Sequence, residues 1–149
     1  MKDKQHITAF YLETLLLIVV FISIILVLTQ IFGLGKAKSG EAMLLTNAVT
    51  LAQNGAEAFS AAEDPAQMAA LLNEQDNAEV LQNAEGVSAR YNADMTPDAE
   101  GPFELKAFWT ESAGDTGSFI RCRIVLTYQD SEQPVYELET AQFRQGVSG

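Results

Sequence analysis

The chain has 149 residues, room for one membrane anchor and one small soluble domain of about a hundred residues around a single core. Its formal net charge is −11, and because Lys2 and Lys4 balance Asp3 and Glu13 in the first 33 residues, the whole imbalance belongs to the part that follows. Such an acidic domain repels phosphate backbones and anionic headgroups, which argues against nucleic-acid binding by charge, and a single cysteine, Cys122, excludes an intrachain disulfide.

Residues 1–9, MKDKQHITA, form a short leader with Lys2 and Lys4 against Asp3. Residues 10–33 follow as an apolar run whose only charge is Glu13 and which contains no Pro. At about 1.5 Å per residue, a helix of this length crosses a hydrocarbon core of about 30 Å, so the run is expected to be a single transmembrane helix. It is too long for a signal-peptide h-region and passes directly into a further helical pattern, so it is read as an anchor that stays. Lys36 and Lys38 beyond the run nearly balance the leader lysines, so charge does not decide the orientation. The polar bulk after Leu34 does: the N-terminus is expected inside and the domain outside.

Residues 34–62 continue the helix in amphipathic form. Leu34, Ala37, Leu44, Ala48, Leu51, Gly55, Ala58 and Ala62 recur at steps of three, four or seven, and a second line through Leu45, Val49, Ala52, Ala56 and Phe59 widens the stripe enough to lie on a sheet. Gly33 and Gly35 mark the expected place for a bend. Residues 63–85 read as a helical and loop connection, with Asp64 as N-cap and Pro65 at the first position of a short helix. In residues 86–149 the period becomes two, over Val87–Ala93, Phe103–Thr110, Ser118–Gln129 and Val135–Phe143. The breaks between these runs are too short for crossover helices, so four strands in an antiparallel meander are expected. Ile120, Cys122, Ile124, Leu126 and Tyr128 share one face of the third strand, opposite Arg121, Arg123 and Thr127. The expected fold class is α+β: one long N-terminal helix, transmembrane then amphipathic, packed on a C-terminal four-stranded antiparallel sheet.

No catalytic residue, metal site or cofactor site emerges from these elements. His6, the single histidine, lies in the leader, which leaves the soluble part without a His-based triad or a His metal site. Cys122 sits on the apolar face of its strand and reads as a small buried hydrophobe. Glu57, Glu63, Asp64, Glu74, Asp76 and Glu79 lack the order of a calcium loop and read as a solvated face. Phe108 and Trp109 are neighbours on a strand and point to opposite faces, one to the core and one to the surface or a partner. Glu13 carries the remaining signal. A carboxylate in a membrane segment costs a few kcal/mol at the centre and less near the interface. Two readings stand: it is solvated at headgroup depth, or it meets a cation brought to that depth by a neighbouring subunit.

The stretch AFYLETLLLIVVFISIILVL, with this architecture, resembles the type IV pilin and pseudopilin superfamily. By motif the resemblance covers Ala9 to Leu28 and by architecture the whole chain. It implies a prepilin-type leader cut by a prepilin peptidase and a methylated first residue. Cutting after Ala9 leaves Phe10 first, whereas cutting after Thr8 leaves Ala9 first and sets Glu13 in the family's register. It also implies subunit assembly through Glu13, which would pair with a neighbour's free amino group. The implied partners are other pilin-like subunits through the N-terminal helix, an inner-membrane assembly platform and membrane lipid. The implied location is the bacterial cytoplasmic membrane, crossed once, with incorporation into a surface fibre. The implied function is a non-enzymatic structural subunit, pseudopilin or minor pilin, of a pilus, competence or type II secretion-like assembly. The alternative is a single-pass anchored extracytoplasmic sensor or binding domain with a pocket around Trp109, Tyr91 or Tyr128.

Overall fold

No proline occurs before Pro65, so nothing removes a backbone donor from the helical hydrogen bonding for sixteen turns or so. In the computed structural model, which describes residues 2–146, this stretch is one helix, α1 (Lys2–Ala61). It remains helical through Gly33, Gly35 and Gly40. The chain divides into two compact units, one up to Ala42 and one from Met43 onward.

In the first unit every residue from Lys4 to Ala42 is exposed, including the large apolar side chains of the run. This helix is long and apolar enough to cross a membrane. Four of its hydroxyl groups are satisfied internally: Thr8, Thr14, Ser23 and Thr29 each donate to the carbonyl four residues back, at 2.7–2.9 Å. Such back-bonding lets a polar side chain sit in an apolar medium without an outside partner.

The second unit has one core. From Met43 to Ala61, α1 presents Ala48, Leu51, Ala52, Gly55 and Phe59 as a fully covered stripe. Leu34 and Ala37, counted in that stripe from spacing, are exposed, and Leu45 of the second line is exposed as well. The packed stripe starts at Leu44, the first residue of α1 packed against the core. Gly55 marks a close approach. A Cβ there would stand 2.9 Å from Leu105 Cδ1 and 3.3 Å from Ile124 Cδ1, so the absent side chain that weakens the helix is what lets it lie against the sheet.

After α1 come α2 (Pro65–Leu72), then β1 (Ala78–Val80), β2 (Gly86–Tyr91), β3 (Phe103–Gly114), β4 (Gly117–Tyr128) and β5 (Tyr136–Gln145). Asp64 caps α2 by accepting from the Gln67 backbone N–H at 2.7 Å, with Pro65 in the first turn. The strands form one antiparallel meander in the order β1-β2-β3-β4-β5. The sheet has five strands rather than the expected four. The additional one, β1, falls in the segment expected to be helix and loop, and with three residues it is too short to display a period of two. It pairs with β2 through a turn in which Leu81 N–H donates to Gly86 O at 2.9 Å. Gly86 is required here, since a Cβ would meet the Ala107 carbonyl oxygen at 2.1 Å. β3 and β4 also run further than their apolar alternation, to a two-residue turn at Asp115 and Thr116. In an antiparallel pair the partner strand satisfies the backbone whether or not the side chains are buried.

Core positions alternate along the central strands. Leu105 and Ala107 on β3, and Cys122, Ile124 and Leu126 on β4, are fully buried against the α1 stripe. Two side chains lock the remaining junctions. Arg144 on β5 donates to the carbonyls of Ala62 and Glu63, holding the two residues that follow α1. Buried Asn77 accepts from the Glu74 N–H at 3.0 Å and donates to the Arg90 carbonyl at 3.1 Å, which turns the chain from α2 into β1.

Candidate functional site

The N-terminal positions singled out from sequence fall within one continuous stretch of α1. Ala9 and Phe10 precede Glu13 by four and three residues, so all three lie on the same helical face, with Thr8 around the corner. Thr8 Oγ1 donates to the Lys4 carbonyl at 2.7 Å, and the Phe10 ring meets Tyr11 edge-on with centroids 6.3 Å apart.

Glu13 is exposed and, among the described residues, forms no ion pair and no side-chain hydrogen bond. The sequence dictates this. Positions three and four residues away are Ala9, Phe10, Leu16 and Leu17, so no cation stands within helical reach. Lys4, the nearest described cation in sequence, is nine residues back, about 13 Å along the axis. Any charge that neutralises Glu13 therefore comes from outside the chain's own helix.

The aromatic residues considered for a pocket do not gather at one place. Tyr91, Phe103 and Tyr128 are direct neighbours across β2, β3 and β4, and the Tyr128 ring lies 4.9 Å from that of Phe103. Trp109 is six residues further along β3, about 20 Å away. It packs edge-on against Phe59 at 4.7 Å, and its Nε1 donates to Met68 Sδ at 3.3 Å. Its remaining exposed edge borders an open groove of about 530 Å³, with Glu63, Asp64, Glu85, Glu111 and Arg144 around it. Phe108 points the other way, beneath the Arg123 guanidinium at 5.6 Å.

Two interior groups have shifted protonation. Burial, reinforced by the Glu74 carboxylate, raises Tyr91 from 10.0 to about 12. Burial alone raises the Cys122 thiol from 9.0 to about 12. A thiol held neutral to that extent packs as an apolar side chain and offers no thiolate at ordinary pH. Of the acids in the helical region, Asp64 is an N-cap, and among the described residues no three His, Cys, Asp or Glu side chains converge as a metal site would require.

Sequence reasoning passed over Arg144, Asn77 and the outward pair Phe119 and Phe143. For Phe119 the signal was present, since it shares the parity of Arg121 and Arg123 on β4. Arg144 had none, because its partners are backbone carbonyls more than 80 residues away in sequence. Compared with protein-family models, with curated proteins and with solved structures, the chain matches none.

Proposed function

We propose that the chain is a non-enzymatic, membrane-anchored structural subunit of a type IV pilin-like assembly, a pseudopilin or minor pilin of a pilus, competence or type II secretion-like system. The observation that carries this reading is Glu13, a carboxylate with no partner of its own in a helix that is apolar all round and continues unbroken toward the domain. A charge so placed is costly in a bilayer unless it is paired. An amino group at the start of a neighbouring helix, freed by cleavage after Thr8 or Ala9, meets that need. Glu13 then fixes the stagger between subunits as apolar helices leave the membrane and pack on one another. The N-terminus faces the cytoplasm, the acidic domain lies outside the bacterial cytoplasmic membrane, and the helix stays in lipid until assembly draws it into a fibre. A prepilin peptidase and an assembly platform are the partners this requires.

Mass and N-terminal sequence of the chain from its native membrane test the processing step. A mature chain starting at Phe10 or Ala9 is expected, carrying one added methyl group. Glu13→Ala is expected to reduce the assembled form at least tenfold and to leave the denaturation midpoint of the domain unchanged. Unaltered assembly in that variant defeats the pairing role, and a chain that still starts at Met1 favours an anchored binding domain instead, with the groove beside Trp109 as its first candidate.

A further inference from the structure

The outward face of the sheet differs in charge from the rest of the domain. Of the chain's 20 acidic residues only Asp3, Glu13 and Glu41 precede Met43, and from there on the basic residues are Arg90, Lys106, Arg121, Arg123 and Arg144. The strand register places all of these but Arg144 on the face turned away from α1, among Glu79, Glu104, Glu137 and Glu139. Counting Asp130, which pairs with Arg90 at 2.9 Å from the turn after β4, that face sets five acids against four cations and is close to neutral. The rest of the acid excess lies on the remaining surfaces, where Arg144 is the sole cation and is bound to backbone carbonyls.

The same face exposes aromatic surface. Phe119 and Phe143 are opposite each other across β4 and β5 and are 42% and 55% exposed. Arg121 lies over the Phe119 ring at 6.0 Å and pairs diagonally with Glu139 at 3.1 Å, and Arg123 pairs with Glu137 at 3.5 Å. Exposed phenylalanine beside arginine is the composition of an interface centre.

We propose that this face pairs two copies of the chain, sheet against sheet, about a two-fold axis. Charge identifies the occupant. A two-fold contact is reciprocal, so the arginines of one copy meet the glutamates of the other and the reverse. The nearly neutral faces then meet while the strongly acidic surfaces of both copies point away, whereas any other approach brings more net acid against the partner. Four strands of about ten residues span about 33 Å by 19 Å, on the order of 600 Å², at the small end for a specific contact. The pair is therefore weak between free molecules and relies on the raised local concentration of two copies held in one membrane. It goes beyond the assembly role of Glu13 and does not depend on it.

Full-length chain in lipid vesicles, labelled as donor and acceptor populations, tests the pairing by energy transfer as the protein-to-lipid ratio is varied. Phe143→Ser is expected to shift the association midpoint at least tenfold. Arg121→Glu with Arg123→Glu, and separately Glu137→Arg with Glu139→Arg, are each expected to abolish transfer when alone and to restore it when the two are mixed. Glu57→Lys, away from the face, is expected to retain transfer. Thermal melting of each variant confirms folding, since exposed ion pairs of this kind contribute little to stability. Absence of transfer in the unsubstituted chain at every ratio overturns the proposal, as does transfer indifferent to the face substitutions or a mixture that fails to recover.

Discussion

From Phe10 to Phe32 the apolar side chains of α1 surround the axis, and from Leu44 to Phe59 they form a stripe on one side. The first set is exposed throughout, and the second is covered by Leu105, Ile124 and their neighbours on the sheet. One helix thus shows two ways of meeting the same requirement, that apolar surface leave water. Where the pattern is circular the cover must come from outside the chain, as lipid or as other helices. Where it is a stripe, the chain supplies its own cover and becomes a folding unit.

The sharpest test of this contrast sets Phe59 against Phe21, the same residue type in the two halves. Phe59→Ala empties a fully buried position and is expected to cost about 3–5 kcal/mol in chemical denaturation of the domain. Phe21→Ala, exposed in α1, is expected to leave that midpoint unchanged. An equal loss from both would mean that the two halves of α1 do not differ as described.

The core also responds to alkali. Tyr91 and Cys122 titrate at about 12 in the folded chain, against 10.0 and 9.0 for the unperturbed groups. Below pH 9 both states keep these protons and stability is flat with respect to these groups. Between pH 9 and 12 the unfolded chain has released protons that the folded chain retains, so stability falls as pH rises, by up to about 1.4 kcal/mol per pH unit for each group. Denaturation midpoints measured from pH 7 to 11 check this, and in Cys122→Ala the decline is expected to begin nearer pH 10.

Smaller effects belong to the connections. Asp64→Ala removes the N-cap of α2 and is expected to cost about 1 kcal/mol, read as a lower melting temperature. Ala84 holds φ of 53° in the turn between β1 and β2, a left-handed conformation that glycine adopts without penalty. Ala84→Gly is expected to stabilise the domain by several tenths of a kcal/mol to about 1 kcal/mol, which a small rise in melting temperature reports. A lower melting temperature would show that the turn takes another conformation.

Much of this architecture can be read from spacing alone. An uninterrupted apolar run followed by a period of 3.6, both without proline, gives α1, the Asp64–Pro65 pair gives the start of α2, and a period of two gives the four longer strands, because each of these signals is local. The isolation of Glu13 is equally local, since Ala9, Phe10, Leu16 and Leu17 occupy every position from which its own helix could offer a cation. Contacts between distant segments decided the rest. β1 exists because β2 lies beside it, the stripe is covered from Leu44 because core residues of the sheet pack on it, and Gly55 is explained only by Leu105 and Ile124 opposite it. Arg144 has no meaning in sequence until β5 brings it to the carbonyls of Ala62 and Glu63, just past the end of α1. The outward face gathers its four cations, the acids among them and the paired phenylalanines from separate strands, and only the register of the meander makes them one surface.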